Sequence, residues 1–261
     1  TGQLYLASDT HIYAIQGTGP TSFFPLRLNA KTGTKARNCF LPVRGRGIYH
    51  LGRDGIYLFG LSDDVKITGQ LFDPIFEGTT TGSIPGINLD RMSYCWMLQH
   101  KDLVLFAYPS ATANYPNNML VLNLKTNKIV HHQYNVQFTC AAVDFTNDRI
   151  IASDNSGYIW QLNYQGRTLD HDTAISWQIE TKEFGGLHKY FPRYARYDVA
   201  LEDTAATATG RVLLDGAIKQ SHTLSTSRKT KKRLITGCTG DRLSVRIDGT
   251  GPVSIYSAEI E

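Results

Sequence analysis

The chain has little of what a membrane, zinc or thiol-redox protein needs. No apolar run approaches the roughly 18 residues that a membrane-spanning helix requires. The cysteines Cys39, Cys95, Cys140 and Cys238 are spread singly, so no Cys-x-x-Cys pair exists and no spacing supports a disulfide framework. Cys95 and Cys140 lie in apolar strand-like runs, which predicts buried free thiols at both positions.

Helical periodicity and the common catalytic motifs are also nearly absent. The sequence has no Gly-rich phosphate loop, no Gly-x-Ser-x-Gly elbow and no His-Glu-x-x-His helix. A short helical turn is predicted at residues 73–77, where Pro74 suits the first helical position. We therefore predict a protein that is not an enzyme, with no catalytic residues, no metal and no cofactor.

The charge balance gives only a weak indication of partners. Lys and Arg together number 27 against 23 Asp and Glu, so the net charge of +4 is too small to indicate nucleic-acid binding by itself. Hydrophobic residues at 41% and aromatics at 11% are typical of a folded chain with a core. The chain opens at Thr1 without an initiator Met, and we expect a fragment or a processed chain whose beginning is missing.

Short runs of β-branched and aromatic residues, separated by Gly, Asp and Asn, predict an all-β fold. Three similar hairpins, at 4–15, 48–59 and 149–160, extend into four-stranded units with the period of about 40–50 residues that propeller blades show. The predicted strands are 4–8, 12–15 and 22–28; 38–43, 48–51, 56–61 and 65–69; 94–99, 103–108, 119–124 and 129–134; and 138–143, 149–153, 158–162 and 175–181. The first unit has three strands only, so we expect further blades before it.

The character of the sequence changes near residue 185. Longer alternating strands are predicted at 193–201, 210–214, 217–224, 233–237, 242–248 and 253–261. Asp215-Gly216 is a two-residue hairpin signal between two of them. We therefore predict propeller-type blades over residues 1–184, incomplete at the N-terminus, and a small antiparallel β-sandwich over residues 185–261.

Two segments of the blade region have additional features. The connection at 72–91 is long, and loops of that length are often functional or mobile. Residues 153–160 read Ser-Asp-Asn-Ser-Gly-Tyr-Ile-Trp and resemble the Asp-box, Ser-x-Asp-x-Gly-x-Thr-Trp, of sialidase-like propellers. In this comparison Asn155 takes the place of the Asp and Ile159 that of the Thr. The box is structural in those proteins, so it indicates the fold and not catalysis.

Basic residues form the main candidate site. The candidate residues for contact with DNA or an acidic partner are Arg228, Lys229, Lys231, Lys232 and Arg233, in a predicted loop. A second, looser group consists of Lys31, Lys35, Arg37, Arg44, Arg46 and Arg53. Charged side chains that are merely solvated are the more common explanation of such groups, and the sequence pattern does not decide between the two.

Other polar groups are weaker candidates. His131 and His132 are adjacent on a predicted strand, so their side chains point to opposite faces and cannot easily share a metal. A solvent-facing or edge strand explains them. Asp63-Asp64 and 170–172 (Asp-His-Asp) are predicted turns with only a weak calcium signal.

The C-terminal third is similar to tailed-phage virion proteins. The resemblance rests on 181–184 (Thr-Lys-Glu-Phe), 190–199 (Tyr-Phe-Pro-Arg-Tyr-Ala-Arg-Tyr-Asp-Val), 210–216 and the ending at 240–261 with its Gly-Thr-Gly-Pro-Val turn. The hairpin at 55–59 adds to it. These segments resemble a tail hub, nozzle or portal-proximal stabilising protein of a short-tailed phage.

The resemblance implies a function in assembly. The expected protein is a structural virion component of the tail or neck, put together in the host cytoplasm. It would form a ring with its own copies, contact neighbouring tail and portal-adaptor proteins, and help to form or seal the DNA exit channel. The alternatives are a carbohydrate- or receptor-binding propeller with exposed Tyr108, Tyr115 and Trp160 at one end, a sialidase-like glycosidase, and a cellular scaffold.

Overall fold

The chain folds as an all-β protein, as the sequence predicts. The computed structural model describes residues 4–60, 64–162, 169–170, 173–174, 176–181, 183–190, 192–201, 205–224, 229–233, 239–251 and 253–260. The chain forms two compact units, Thr1–Gln165 and Gly166–Glu261.

The first unit contains successive antiparallel sheets, each a meander of neighbouring strands. The first sheet has β1 (Leu4–Ala7), β2 (Ile12–Gln16) and β3 (Phe24–Arg27). The second has β4 (Phe40–Val43), β5 (Gly47–Leu51), β6 (Ile56–Phe59) and β7 (Asp64–Lys66). The third has β8 (Trp96–His100), β9 (Leu103–Tyr108), β10 (Asn118–Asn123) and β11 (Lys128–Gln133). The fourth has β12 (Phe138–Asp144), β13 (Arg149–Asp154) and β14 (Ile159–Leu162). Apart from the final strand of the last unit, the predicted blade strands are confirmed.

Strand β9 shows why the sheets pack face to face. Its sequence is apolar throughout, and side chains alternate between the two sheet faces. Phe106 and Tyr108 face a core shared with the second sheet, whereas Leu105 and Ala107 face a core shared with the fourth. A strand that is buried on both faces needs this continuous apolar run. The stacking of consecutive meanders of three or four strands is the propeller-type arrangement that the sequence predicts.

The second unit is an antiparallel sandwich. It begins with a short hairpin of β15 (Leu169–Asp170) and β16 (Thr173–Ala174). One sheet contains β17 (Ser176–Glu180), β18 (Phe184–Tyr190), β20 (Thr207–Leu214), β21 (Ala217–Leu224) and β23 (Gly240–Thr250). The other contains β19 (Tyr194–Leu201), β22 (Lys229–Arg233) and β24 (Val253–Ile260). Tyr197 and Val199 of β19 pack against Val212 of β20 and Val245 of β23 in a common core.

The prediction that 175–181 completes the fourth blade is wrong. Strand β17 pairs with β23, with Trp177 opposite Gly249 and Ile179 opposite Ile247. The division between the compact units accordingly falls between Gln165 and Gly166, earlier than the predicted boundary at 184/185. The alternation of apolar and polar residues in a strand defines its two faces but carries no information about which sheet the strand joins. The sequence pattern of β17 therefore fits the fourth blade as well as the sandwich.

The long connection between the second and third sheets is ordered. It contains α1 (Asp73–Phe76), which confirms the predicted turn with Pro74 near its start. Ile75, Phe76 and Ile87 are buried in the core of the second and third sheets. The helices of the described residues are short, and none has the length and apolar character that crossing a membrane demands.

The hairpin at 153–160 has its hydrogen bonds centred on a different residue from the one predicted. The acceptor is Asp154, not Asn155: Oδ1 accepts from the backbone N–H groups of Ser156 at 2.9 Å and Tyr158 at 2.8 Å. Oδ2 accepts from Trp160 Nε1 at 2.9 Å. Burial opposes the charged carboxylate, but these hydrogen bonds outweigh it and lower the pKa of Asp154. Gly157 at φ +91° permits the tight return.

Replacing Asp154 with alanine is expected to lower the melting temperature of the blade unit by several degrees, because three donors lose a charged acceptor at once. Asp154→Asn keeps one acceptor oxygen and should lose less. Trp160 fluorescence during thermal unfolding measures both variants. Equal melting temperatures for Asp154→Ala and the wild type would contradict this role.

Candidate functional site

The basic cluster lies on an edge strand, not in the predicted loop. Lys229, Lys231, Lys232 and Arg233 belong to β22, and Arg228 lies outside the described residues. The predicted strand at 233–237 is therefore displaced: Arg233 ends β22, and 234–238 is outside the description. Among the described strands β22 pairs with β19 only, so its other edge carries no described partner strand. Lysine is a common residue on such edges because it discourages further strand pairing.

The register of β22 places its basic positions beside charged positions of β19. Lys229 lies opposite Asp198 and Lys231 lies opposite Arg196. Since opposite residues share a sheet face, the cluster extends onto β19 and includes Arg196. The side chain of Lys232 is exposed.

A buried histidine marks the adjoining edge of the sandwich. His222 of β21 lies with its Nδ1 3.3 Å from the hydroxyl of Tyr197. Burial and then the charge of Lys232 lower the pKa of His222. The charge of Lys232 therefore acts on the imidazole although β21 and β22 belong to different sheets. Sequence reasoning missed this neighbour because nothing in the chain order associates residue 222 with 232.

The second basic group contains residues that make contacts within the protein. Lys35 forms an ion pair with Asp9 at 3.3 Å, and Arg46 donates to the carbonyl oxygen of Leu124 at 2.5 Å. Arg37, Arg44 and Arg53 are exposed. Two members of the group are therefore engaged within the protein, and these contacts do not identify the group as a binding site.

The adjacent histidines lie on the edge strand β11, as predicted. His131 and His132 are half-buried, and Nε2 of His131 lies 2.9 Å from Oδ1 of Asn118. Burial, with a contribution from His132, lowers the pKa of His131 to about 4, and burial lowers the pKa of His132. Within the described part of the chain no group of three or more His, Cys, Asp and Glu side chains could hold a metal ion.

Acidification is expected to destabilise the blade unit through His131. Its folded pKa of about 4 lies below the ordinary 6.5, so the unfolded state takes up the proton first. The stability that depends on a neutral His131 is fully present above about pH 6.5 and is lost as the pH falls toward 4. The free energy of unfolding decreases by at most roughly 3 kcal/mol for this reason. Urea unfolding of the wild type and of His131→Gln at both ends of this range measures it. An equal loss of stability in the two proteins would contradict the assignment.

The aromatic residues predicted to be exposed at one end are not. Tyr108 is fully buried, and its hydroxyl donates to the carbonyl oxygen of Pro85 at 3.2 Å. Trp160 is held by Asp154. Tyr115 is half-buried and meets a residue that the sequence did not single out, Tyr94, at a ring-centroid distance of 5.1 Å. The predicted cluster is therefore wrong, and one of its members belongs to a different pair.

Asp64 takes part in a buried pair. Its Oδ1 lies 2.9 Å from Nε2 of His50, and both side chains are fully buried. Nδ1 of the imidazole lies 3.0 Å from the carbonyl oxygen of Gly33. The weak calcium signal at this position is wrong, because the carboxylate is already occupied and enclosed. Asp63, His171 and Asp172 lie outside the described residues.

Two cysteine predictions have different outcomes. Cys95 is a buried free thiol, as predicted, and burial raises its pKa strongly. Cys140 is exposed, which is contrary to the prediction, because it occupies the outward face of β12. Cys39 is also buried and free, and Cys238 lies outside the described residues.

Comparison with known proteins gives no family. No protein-family profile matches the chain. No curated protein matches it either. Among solved structures, it is similar to an exo-β-1,3-galactanase from Phanerochaete chrysosporium with galactose, at 8% identity and a TM-score of 0.31, over 95% of this chain and 75% of that one. A variant of that enzyme with β-1,3-galactotriose gives a TM-score of 0.31 at 8% identity, over 97% and 77%. A likeness of this size transfers neither substrate nor reaction.

Proposed function

We propose that the protein is a structural virion component of a phage tail or neck, which assembles into a ring and helps to form or seal the DNA exit channel. It acts by assembly and turns over no substrate. The observation that carries the proposal is the pair of open apolar faces at the two ends of the row of blade sheets. The basic edge strand β22 is a second, separate support.

The first sheet has one covered and one open face. Tyr5, Ala7 and Ile12 pack toward the second sheet. On the opposite face Leu4 is 60% and Leu6 is 49% exposed. A contiguous group of exposed apolar residues is more typical of an interaction surface than apolar residues that are exposed singly.

The fourth sheet repeats this arrangement at the other end. Ile150 and Ala152 pack toward the third sheet. On the opposite face Ile159 is 76% exposed, and Cys140 and Ala142 are exposed beside it. A neighbouring copy or ring protein would cover these faces in the particle.

Strand β22 supplies the proposed contact with DNA or an acidic neighbour. Phosphate groups need exposed Lys and Arg more than a particular motif. Four of the five residues of β22 are Lys or Arg. Among the side chains that the structure describes there, those of Lys232 and of Arg196 on the adjacent strand are exposed. A strand edge is also a rigid carrier, so the charges keep a fixed spacing along a channel wall.

Incorporation into particles tests the assembly role. Leu6→Glu and Ile159→Glu each place a charge on an open face, and incorporation should fall at least about tenfold because a buried unpaired charge is costly. Phe145→Glu, at a residue that is 88% exposed on the β12–β13 turn, is the matched control. Unchanged incorporation of both face variants, with wild-type melting temperatures, would refute the role.

DNA retention tests the basic strand separately. Replacing Lys229, Lys231, Lys232 and Arg233 with Gln should reduce the DNA retained by otherwise complete particles and weaken its dependence on salt. Replacing Arg37, Arg44 and Arg53, which are exposed on the first unit, is the control. If the β22 variant changes neither DNA retention nor assembly, the basic strand has no such contact.

A further inference from the structure

The connection between β7 and β8 presents a rigid surface that the proposed function does not use. The connection is held internally at 2.9 Å by the N–H of Ile87, which donates to the carbonyl oxygen of Ile75. Within the same connection, Gly86 lies so close to Gly78 that a Cβ atom on Gly86 would be 2.3 Å from the carbonyl group of Gly78. The backbones of these two segments are therefore in direct contact, and the predicted long loop is an ordered element.

This connection is tied to the β9–β10 connection. The N–H of Asn88 donates to the carbonyl oxygen of Pro109 at 2.9 Å, and its side-chain amide donates to that of Ala113 at 3.0 Å. From the other side, Oε1 of Gln137 accepts from the N–H groups of Asn114 at 3.2 Å and Tyr115 at 3.1 Å. Three separate segments thus fix one surface.

The surface carries three side chains in defined positions, which we call the tyrosine corner: Arg91, Tyr94 and Tyr115. The rings of Tyr94 and Tyr115 meet at 5.1 Å with an interplanar angle of 78°. Cζ of Arg91 lies 5.7 Å from the centre of the Tyr94 ring. Tyr94 is 39% exposed, and Arg91 and Tyr115 are half-buried.

The polar ends of the tyrosine corner are available. Across the residues that the structure describes, neither phenol hydroxyl and no N–H of the Arg91 guanidinium has a hydrogen-bond partner within the protein. A guanidinium has only hydrogen-bond donors, and it can bind a carboxylate in a bidentate way through two parallel hydrogen bonds. The corner therefore combines an apolar wall, two hydroxyl groups and one cation on a support that loses little conformational entropy on binding.

We propose that the tyrosine corner binds a saccharide that bears a carboxylate, such as a uronic or sialic acid residue. The apolar C–H face of a pyranose ring fits against an aromatic ring, its hydroxyl groups meet the phenols, and its carboxylate meets Arg91. A single-stranded nucleic acid is the competing ligand. A single strand needs aromatic rings on which successive bases can stack, whereas the rings of Tyr94 and Tyr115 are nearly perpendicular. Asp90, which precedes Arg91 in the chain, is exposed, and its carboxylate can accept sugar hydroxyls.

Saturation-transfer NMR with sialyllactose and a glucuronic acid disaccharide tests the proposal, with lactose and cellobiose as neutral counterparts. The acidic sugars should bind roughly tenfold more tightly than the neutral ones. Tyr94→Ala and Arg91→Gln should each weaken that binding by roughly tenfold or more, because each removes a central contact. Tyr94→Phe keeps the ring and should lose less than Tyr94→Ala.

The control is Tyr158→Ala, at a tyrosine that is 66% exposed in the β13–β14 turn and far along the chain from the corner. It should bind the acidic sugars as the wild type does. The proposal is overturned if neutral and acidic sugars bind equally, if no sugar binds, or if the corner variants bind as the wild type does. Binding of a thymidine oligonucleotide that disappears in Tyr94→Ala would assign the corner to nucleic acid and overturn it as well. None of these outcomes depends on particle assembly.

Discussion

Replacing Phe106 with alanine is expected to lower the free energy of unfolding of the blade unit by about 3–5 kcal/mol. Phe106 is 1% exposed and lies on β9, an inner strand of the third sheet. Its ring stacks on Phe76 at 5.9 Å and on Tyr108 at 5.7 Å. The truncation leaves a cavity that these neighbours fill only in part, since the sheet and the helical turn that carry them are fixed by backbone hydrogen bonds.

Urea unfolding of the blade unit measures this loss. Phe145→Ala removes a ring that is 88% exposed and should change the free energy of unfolding by less than about 0.5 kcal/mol. A Phe106→Ala variant that is as stable as Phe145→Ala would show that the second sheet, the third sheet and the connection at 72–91 do not share the core described above.

Replacing Asp64 with alanine is expected to cost a comparable amount, about 3–5 kcal/mol, for an electrostatic reason. The carboxylate accepts from His50 Nε2 at 2.9 Å and from the backbone N–H groups of Lys31 at 2.8 Å and Thr32 at 3.4 Å. The variant leaves a fully buried imidazole and two backbone donors without their acceptor. Buried polar groups that lose their hydrogen-bond partner lower the free energy of unfolding by more than the intact pair contributes to it.

A double-mutant cycle separates this effect from simple loss of packing. His50→Leu combined with Asp64→Ala should be less destabilised than the sum of the single variants by about 1–3 kcal/mol. The control is Asp102→Ala, which removes an exposed partner of Lys125 and should cost less than about 1 kcal/mol. Additive losses in the cycle, or equal losses at positions 64 and 102, would contradict the buried pair.

The strands were predictable because each follows a local pattern. The apolar run of β9 and the alternation of β12 and β19 are visible in single windows of the sequence. Pairing was less predictable, because strand β17 has the same pattern whether it joins the fourth blade or the sandwich. Its partner β23 lies about 70 residues further on, and only the tertiary packing selects it.

The polar sites were hardest to predict. His50 and Asp64 occupy separate strands of one sheet, and nothing local shows that their side chains meet. Tyr94 and Tyr115 lie on two different connections, which are held together by one backbone and one side-chain hydrogen bond of Asn88. The Asp154 hairpin was recognised by its spacing, yet the acceptor lies one position earlier than the motif comparison placed it. The expected exposure of Tyr108 was also wrong, because β9 is an inner strand that is buried on both faces.

Electron microscopy of the native assembly tests the central claim most directly. The account predicts a closed ring of several copies stacked against other ring proteins, with the open faces of the first and fourth sheets covered and strand β22 toward the channel. A monomer whose two end faces remain in contact with solvent, together with particles that assemble and retain DNA without the protein, would contradict it.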